Sequence, residues 1–308
     1  MAVIVTGSLA FDQIMNLPGV FSDYILPDKI HKLNVSFLVD TLRKEWGGTG
    51  GNIAYNLALL GIKVELVAAI GSDGDEYMSW LAKNKVNINK IKKFKDILTA
   101  SGFVITDRQD NQIWNFYGGA MMRAKEISLS SIKVKPRLVI IAPNDPKAMI
   151  QYSKECQKKK WDYLFDPAFY IPSLSKNDLL IAVKKAKIII GNDYEITMLK
   201  RKIGPHFAKA SWGKQIWITT LGEKGSVIRR GKEEYRIPAA KPKGIVDPTG
   251  AGDAYRAGFV AGYLQGQTLK VCGRMGSVCA AYTVEKYGTQ THKFSLREFR
   301  ERYETNFS

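Results

Sequence analysis

Short apolar runs alternate with helix-like stretches along most of this chain, and that alternation limits its fold more than any other feature. The runs at 3–6, 64–70, 138–142, 163–165, 188–190 and 216–219 are short, apolar and often β-branched. Between them, 52–60, 76–85 and 146–158 carry apolar residues at helical spacing. Strands alternating with helices predict a three-layer α/β fold whose mostly parallel central sheet is buried on both faces. Ligands of such sheets collect beyond the carboxyl ends of the strands. Two stretches break the pattern. Residues 11–46 contain Pro18, Pro27 and a strand-like segment at 32–39, and 99–117 reads as two strands around a turn at 107–111. Together they predict a small β lid, about 12–46 and 98–118, because lids over sites are a usual reason for such insertions. With no internal repeat or linker, residues 1–308 read as one domain.

Composition narrows the class. At 308 residues, 45% hydrophobic and 24% charged, the chain can bury a large core and reads as a globular protein. The apolar N-terminus, 1–11, lacks a basic flank and reads as a first strand rather than a signal peptide. No later apolar run reaches bilayer length, so no membrane partner is expected. Cys156, Cys272 and Cys279 are too scattered for a disulfide framework or zinc site, which points to a reducing cytoplasm. Cys272 and Cys279 read as packing residues, and His31, His206 and His292 lack ligand spacing. The net charge of +17 sits largely in lysine runs at 90–95, 158–160 and 184–187, without interleaved aromatics. Solvated helix faces and loops account for these runs, and no nucleic-acid partner is expected. A nucleic-acid-binding or regulatory protein stays as the alternative from a different class.

Two glycine-rich strings carry chemistry. The first is Asp247-Pro248-Thr249-Gly250-Ala251-Gly252-Asp253-Ala254-Tyr255, which opens an apolar helix over about 252–264. Small residues bring backbone N–H groups close to a ligand, and a helix N-terminus favours an anion such as a transferring phosphate. Asp253 would stand at the mouth of that anion hole, able to take a proton from an attacking hydroxyl. The second string is Gly47-Gly48-Thr49-Gly50-Gly51-Asn52, again opening a helix. It lacks the lysine of a phosphate-binding P-loop, and its spacing does not fit a dinucleotide fingerprint.

With both strings in this order, the chain resembles the ribokinase-like (PfkB) carbohydrate and nucleoside kinases as far as about Gly288, and most closely the bacterial adenosine kinases. The likeness to the latter runs through Gly7-Ser8-Leu9-Ala10-Phe11-Asp12, Phe21-Ser22, Leu26-Pro27, His31-Lys32 and 36–39. It continues in Phe116-Tyr117, Gly119-Ala120-Met121, Asn144-Asp145-Pro146 and Asn192-Asp193-Tyr194-Glu195.

The resemblance implies a role for each matching residue. Asp253 matches the catalytic base, with Gly250, Ala251 and Gly252 in the anion hole. Asp12, Gly48 and Asn52 match groups that hold ribose hydroxyls, and Ser8 and Ser36 match further nucleoside contacts. Phe116 matches a stacking ring for the base. Asn192 and Glu195 match a motif that organises Mg²⁺ and phosphate through water, while Thr220, Gly222 and Gly225 match an ATP-binding loop. Asp247 and Thr249 match part of a monovalent-cation site that takes K⁺. The implied activity is ATP-dependent phosphorylation of a nucleoside 5′-OH, adenosine first, in purine salvage. A broader nucleoside or sugar kinase is the runner-up. Family lids often pair, which implies a homodimer. Two positions depart from the adenosine kinases: the apolar Ala168-Phe169-Tyr170-Ile171-Pro172 after Asp166-Pro167, and Gly102 in place of a second stacking aromatic.

Overall fold

The computed structural model describes residues 2–109, 111–204 and 215–308, so His206 lies outside the described residues. Its larger sheet has nine strands, and β1 (Val3–Thr6) is hydrogen-bonded between β4 (Val64–Ile70) and β8 (Val139–Ile141). Beyond β4 lies β5 (Asn87–Lys93); beyond β8 follow β9 (Tyr163–Phe165), β10 (Ile188–Asn192) and β11 (Ile216–Thr220), all in parallel. An antiparallel hairpin, β12 (Ser226–Arg230) and β13 (Glu233–Ile237), closes that edge.

Period-two alternation sends successive side chains to opposite faces, and each face carries its own core. Val3, Val5, Ile140, Ile188 and Ile190 join one core, while Ile4, Val139, Ile141 and Ile189 join the other. The first is covered by α1 (Thr49–Leu59), α2 (Asp75–Lys83), α6 (Ala251–Leu264), α7 (Leu269–Thr283) and α8 (Leu296–Phe307). The second is covered by α3 (Pro146–Lys159), α4 (Lys176–Lys184) and α5 (Asp193–Ile203). Each fully buried isoleucine of this kind contributes about 1.5–3 kcal/mol, so both faces are strongly specified.

The smaller sheet orders as β3 (Thr41–Gly47), β2 (Ala10–Asn16), β6 (Ala100–Thr106) and β7 (Gln112–Tyr117). Its β2–β6 pair is parallel and the others are antiparallel. One expectation fails here: 32–39 is not a strand. Pro27–Lys32 forms a 3₁₀ helix, and Phe37 packs its ring on Phe21 and Tyr24 at 5.3 and 5.4 Å. Thr41–Gly47 takes the edge of β2 instead, pairing all along Ala10 to Asn16.

The lysine run at 90–95 differs from expectation, while those at 158–160 and 184–187 lie at helix ends as expected. Lys90, Lys92 and Lys93 lie on β5, an edge strand, where lysines discourage pairing with another chain. Lys158 and Lys159 end α3 and Lys184 ends α4, where cations complement the helix dipole. All three cysteines are free and buried, in keeping with packing roles.

Candidate active site

Seven of the site positions lie just past, or at, the carboxyl ends of β1, β9, β10 and β11: Gly7, Ser8, Asp166, Asn192, Glu195, Thr220 and Gly222. The strand order reverses between β1 and β8, so the crevice opens where parallel α/β sheets hold ligands.

At the start of α6, Gly250 takes the left-handed conformation (φ 79°), which a side chain would strain. The turn leaves the N–H groups of Gly252 and Asp253 without helical acceptors. Asp247 pins the turn from below: its carboxylate accepts from Thr249 N–H at 2.9 Å and Gly288 N–H at 3.1 Å. Alongside lies a cavity of about 610 Å³. Thr220, Gly222 and Gly225 line it together with Ala251, Gly252 and Tyr255 of α6 and Ala281 of α7.

Asp253 is buried, and its Oδ2 accepts from Asn52 Nδ2 at 2.8 Å. Burial pushes its pKa up to about 6, against the pull of Arg256 and the Asn52 hydrogen bond; Asp166 and Glu195 add to the push. Beneath it, Arg256 Nε meets Asp166 Oδ2 at 2.5 Å with both side chains nearly inaccessible. The second oxygen of Asp166 has no hydrogen-bond partner among the described residues. Neither Asp166 nor Arg256 stood out in the sequence; a charged Arg inside the apolar face of the 252–264 helix was the available signal.

On the lid, Glu45, Asp12, Gly102 and Phe116 are cross-strand partners in one row. A Cβ on Gly102 would sit 3.2 Å from Asp12 Oδ1 and 3.7 Å from the Phe116 ring. The Trp114 ring is also 3.2 Å from that point, so Gly102 lies between a carboxylate and two partly exposed rings. Burial raises the Asp12 pKa to about 6, helped by the charges of Asp247, Asp253 and Glu45. The lid carboxylate and the helix carboxylate thus share one electrostatic neighbourhood.

Other predicted residues are engaged structurally. Ser8 Oγ accepts from Thr49 N–H at 3.1 Å and fixes the start of α1. Asn192 and Glu195 form a capping box on α5, each side chain accepting from the other's backbone N–H at 2.8 Å. Glu195 keeps a second oxygen, and burial beside Asp166 raises its pKa. Ser36 is exposed on the irregular stretch 33–40, and no hydrogen bond among the described residues ties it to Asp12 or Asn52. Ala168 adopts φ 42°, and the Phe169 and Tyr170 rings pack at 4.3 Å. Tyr170 packs against Ala10, Ala100 and Met121 at the foot of the lid. No group of three or more His, Cys, Asp or Glu among the described residues could hold a metal by itself.

Residues 10–294 match the pfkB family of carbohydrate kinases. A nucleoside kinase of Methanothermobacter thermautotrophicus is 33% identical over 94% of this chain and 91% of its own length. One from Methanocaldococcus jannaschii is 31% identical over 93% and 91%. Among solved structures, the Burkholderia thailandensis nucleoside kinase in complex with inosine superposes with a TM-score of 0.88 at 31% identity, covering 99% of this chain and 98% of that one. Family match, fold and the glycine-opened helix agree: the chain belongs to the pfkB kinase family and is a phosphotransferase that acts on an alcohol group.

Proposed function

We propose that this protein transfers the γ-phosphate of ATP to the 5′-OH of a purine nucleoside, adenosine first and inosine less well. The observation that carries the reading is the lid row, in which a carboxylate and an aromatic face flank Gly102 beside the Asp253 site. A carboxylate accepts two hydrogen bonds and so suits a ribose diol, and base stacking on an aromatic is worth about 1–3 kcal/mol. The inosine bound to the Burkholderia relative supports a nucleoside acceptor. Asp253 is the base that takes the hydroxyl proton, and the N–H groups of Gly252 and Asp253 stabilise the transferring phosphate. ATP lies in the cavity between the Thr220–Gly225 loop and α6, with Asn192 on the neighbouring strand end, paired with Thr220. Mg²⁺ enters with ATP, and the free oxygen of Glu195 faces it through water. Asp247 and Thr249 would hold K⁺, with the carboxylate already oriented by its two N–H donors. Gly48 and Ser8 shape the nucleoside end, and Ser36 reaches it only when the 33–40 stretch closes. The free, buried thiols and the need for ATP favour the cytoplasm.

Asp12→Ala tests the acceptor side. Hydrogen bonds to a charged group contribute about 1.5–3 kcal/mol, so KM for the nucleoside should rise at least tenfold while KM for ATP stays within about twofold. An equal rise for both substrates would contradict the assignment. Leu38 and Leu42, exposed on the lid, give two copies an apolar surface to pair through. Light scattering should report a dimer that Leu42→Lys dissociates; a wild-type monomer would exclude it.

A further inference from the structure

We propose that Gln290 is a positioning residue for the base, its amide locked by Trp80 so that Asn52 can present only its amide N–H to Asp253. The inference rests on Asp253 acting as the base. Gln290 is buried, and each of its polar side-chain atoms is engaged. Its Oε1 accepts from Trp80 Nε1 at 3.1 Å; its Nε2 donates to Tyr77 OH at 2.6 Å and to Asn52 Oδ1 at 3.0 Å. Tyr77 OH in turn donates to the Gly47 carbonyl at 2.7 Å.

Amide orientation is normally ambiguous, because the oxygen and nitrogen ends have the same shape. Here both ends of the chain have fixed polarity. An indole N–H can only donate, so it must meet the oxygen of Gln290. A backbone carbonyl can only accept, so Tyr77 spends its proton on Gly47 and must accept from Gln290. Both constraints turn the Gln290 nitrogen toward Asn52, which must answer with its oxygen. Thr289 Oγ1 lies 2.7 Å from the same Asn52 oxygen and 2.8 Å from the Trp46 carbonyl, and its single proton serves either acceptor, so the Gln290 amide carries the constraint. Asn52 Nδ2 is then the atom left to face Asp253 Oδ2, at 2.8 Å. The reverse orientation would set two oxygens against each other in a buried site, which costs far more than one hydrogen bond gains. The packing is specific to this arrangement: a Cβ on Gly51 would sit 2.1 Å from the Tyr77 hydroxyl and 3.1 Å from Gln290 Nε2. The relay thus joins α2, the 287–290 segment and α1 to the first turn of α6.

A double-mutant cycle on kcat at saturating ATP and adenosine tests the relay. Gln290→Glu keeps the shape but faces Asn52 with an acceptor. It should lower kcat about tenfold or more in the wild-type background, yet by less than about twofold in Asn52→Ala, because the effect travels through Asn52. Trp80→Phe, which removes the fixed donor, should give a smaller loss of several-fold with the same dependence on Asn52, and it serves if Gln290→Glu does not fold. Equal losses in both backgrounds would overturn the relay, since a general packing defect does not need Asn52. Asp253→Asn separates the two claims. If that variant keeps wild-type turnover, the base assignment itself fails; if it is inactive while the cycle is additive, only the relay fails.

Discussion

Replacing Asp253 with Asn is expected to lower kcat by about 10²- to 10⁴-fold, a barrier increase of roughly 3–5 kcal/mol, with ATP binding largely kept. The amide keeps the shape and can still pair with Asn52, but it cannot take the hydroxyl proton. The same group sets the pH response. With its pKa pushed up to about 6 by burial, Asp253 is ionised at neutral pH and becomes protonated as pH falls through that value. Turnover should therefore hold above about pH 7 and fall toward tenfold per unit below about pH 5. Asp12, also raised to about 6, titrates in the same window, so the acid limb of kcat/KM reports the pair rather than either residue. The limb of kcat alone, at saturating nucleoside, is the one assigned to Asp253. Near wild-type turnover in Asp253→Asn, or a kcat limb that persists unchanged in it, would contradict the assignment.

Arg256→Met is expected to be the most destabilising single change in the site. It leaves Asp166 as a buried carboxylate with neither its 2.5 Å partner nor solvent. Removing one member of a buried pair costs about 3–5 kcal/mol, which for a chain of this size lowers Tm by roughly 5–10 °C. The paired replacement Asp166→Leu with Arg256→Met should recover most of that loss, because well-packed apolar groups can replace a buried ion pair at little cost. Turnover should not recover with it. Arg256 also lowers the Asp253 pKa, and without it the base stays protonated to higher pH. Thermal melts and rates measured on both variants separate the two roles. A single variant as stable as wild type would show that Asp166 finds another partner.

Much of the scaffold could be read from the chain because its signals are local. The runs at 3–6, 64–70 and 163–165 are the strands β1, β4 and β9, since short apolar runs buried on both faces leave few alternatives. The glycine strings sit where expected, each opening a helix at the crevice. What escaped depends on distant partners. Asn87–Lys93 reads as a lysine-rich loop until it pairs with β4 as an edge strand. The hairpin at Ser226–Ile237 is mostly polar, and its pairing shows only in the register. In the site, Asp166 meets Arg256 across 90 residues and Gln290 meets Asn52 across 238. Composition and spacing carry no trace of such contacts. The failed strand at 32–39 has the opposite cause: its alternation is real, but Phe37 uses it to build a local ring cluster, and Thr41–Gly47 holds the ladder.

The central claim, a kinase that holds its acceptor by ribose and base together, is tested most directly by ATP turnover on adenosine, inosine, guanosine, cytidine, ribose and fructose. Adenosine should give the highest kcat/KM, and inosine and guanosine should follow within about 10- to 100-fold, because stacking tolerates base identity and the pocket offers few polar groups to read the purine edge. Phe116→Ala should cost every nucleoside much more than any sugar that is turned over. Ribose or fructose outperforming all the nucleosides, with Phe116→Ala indifferent to the base, would contradict the account.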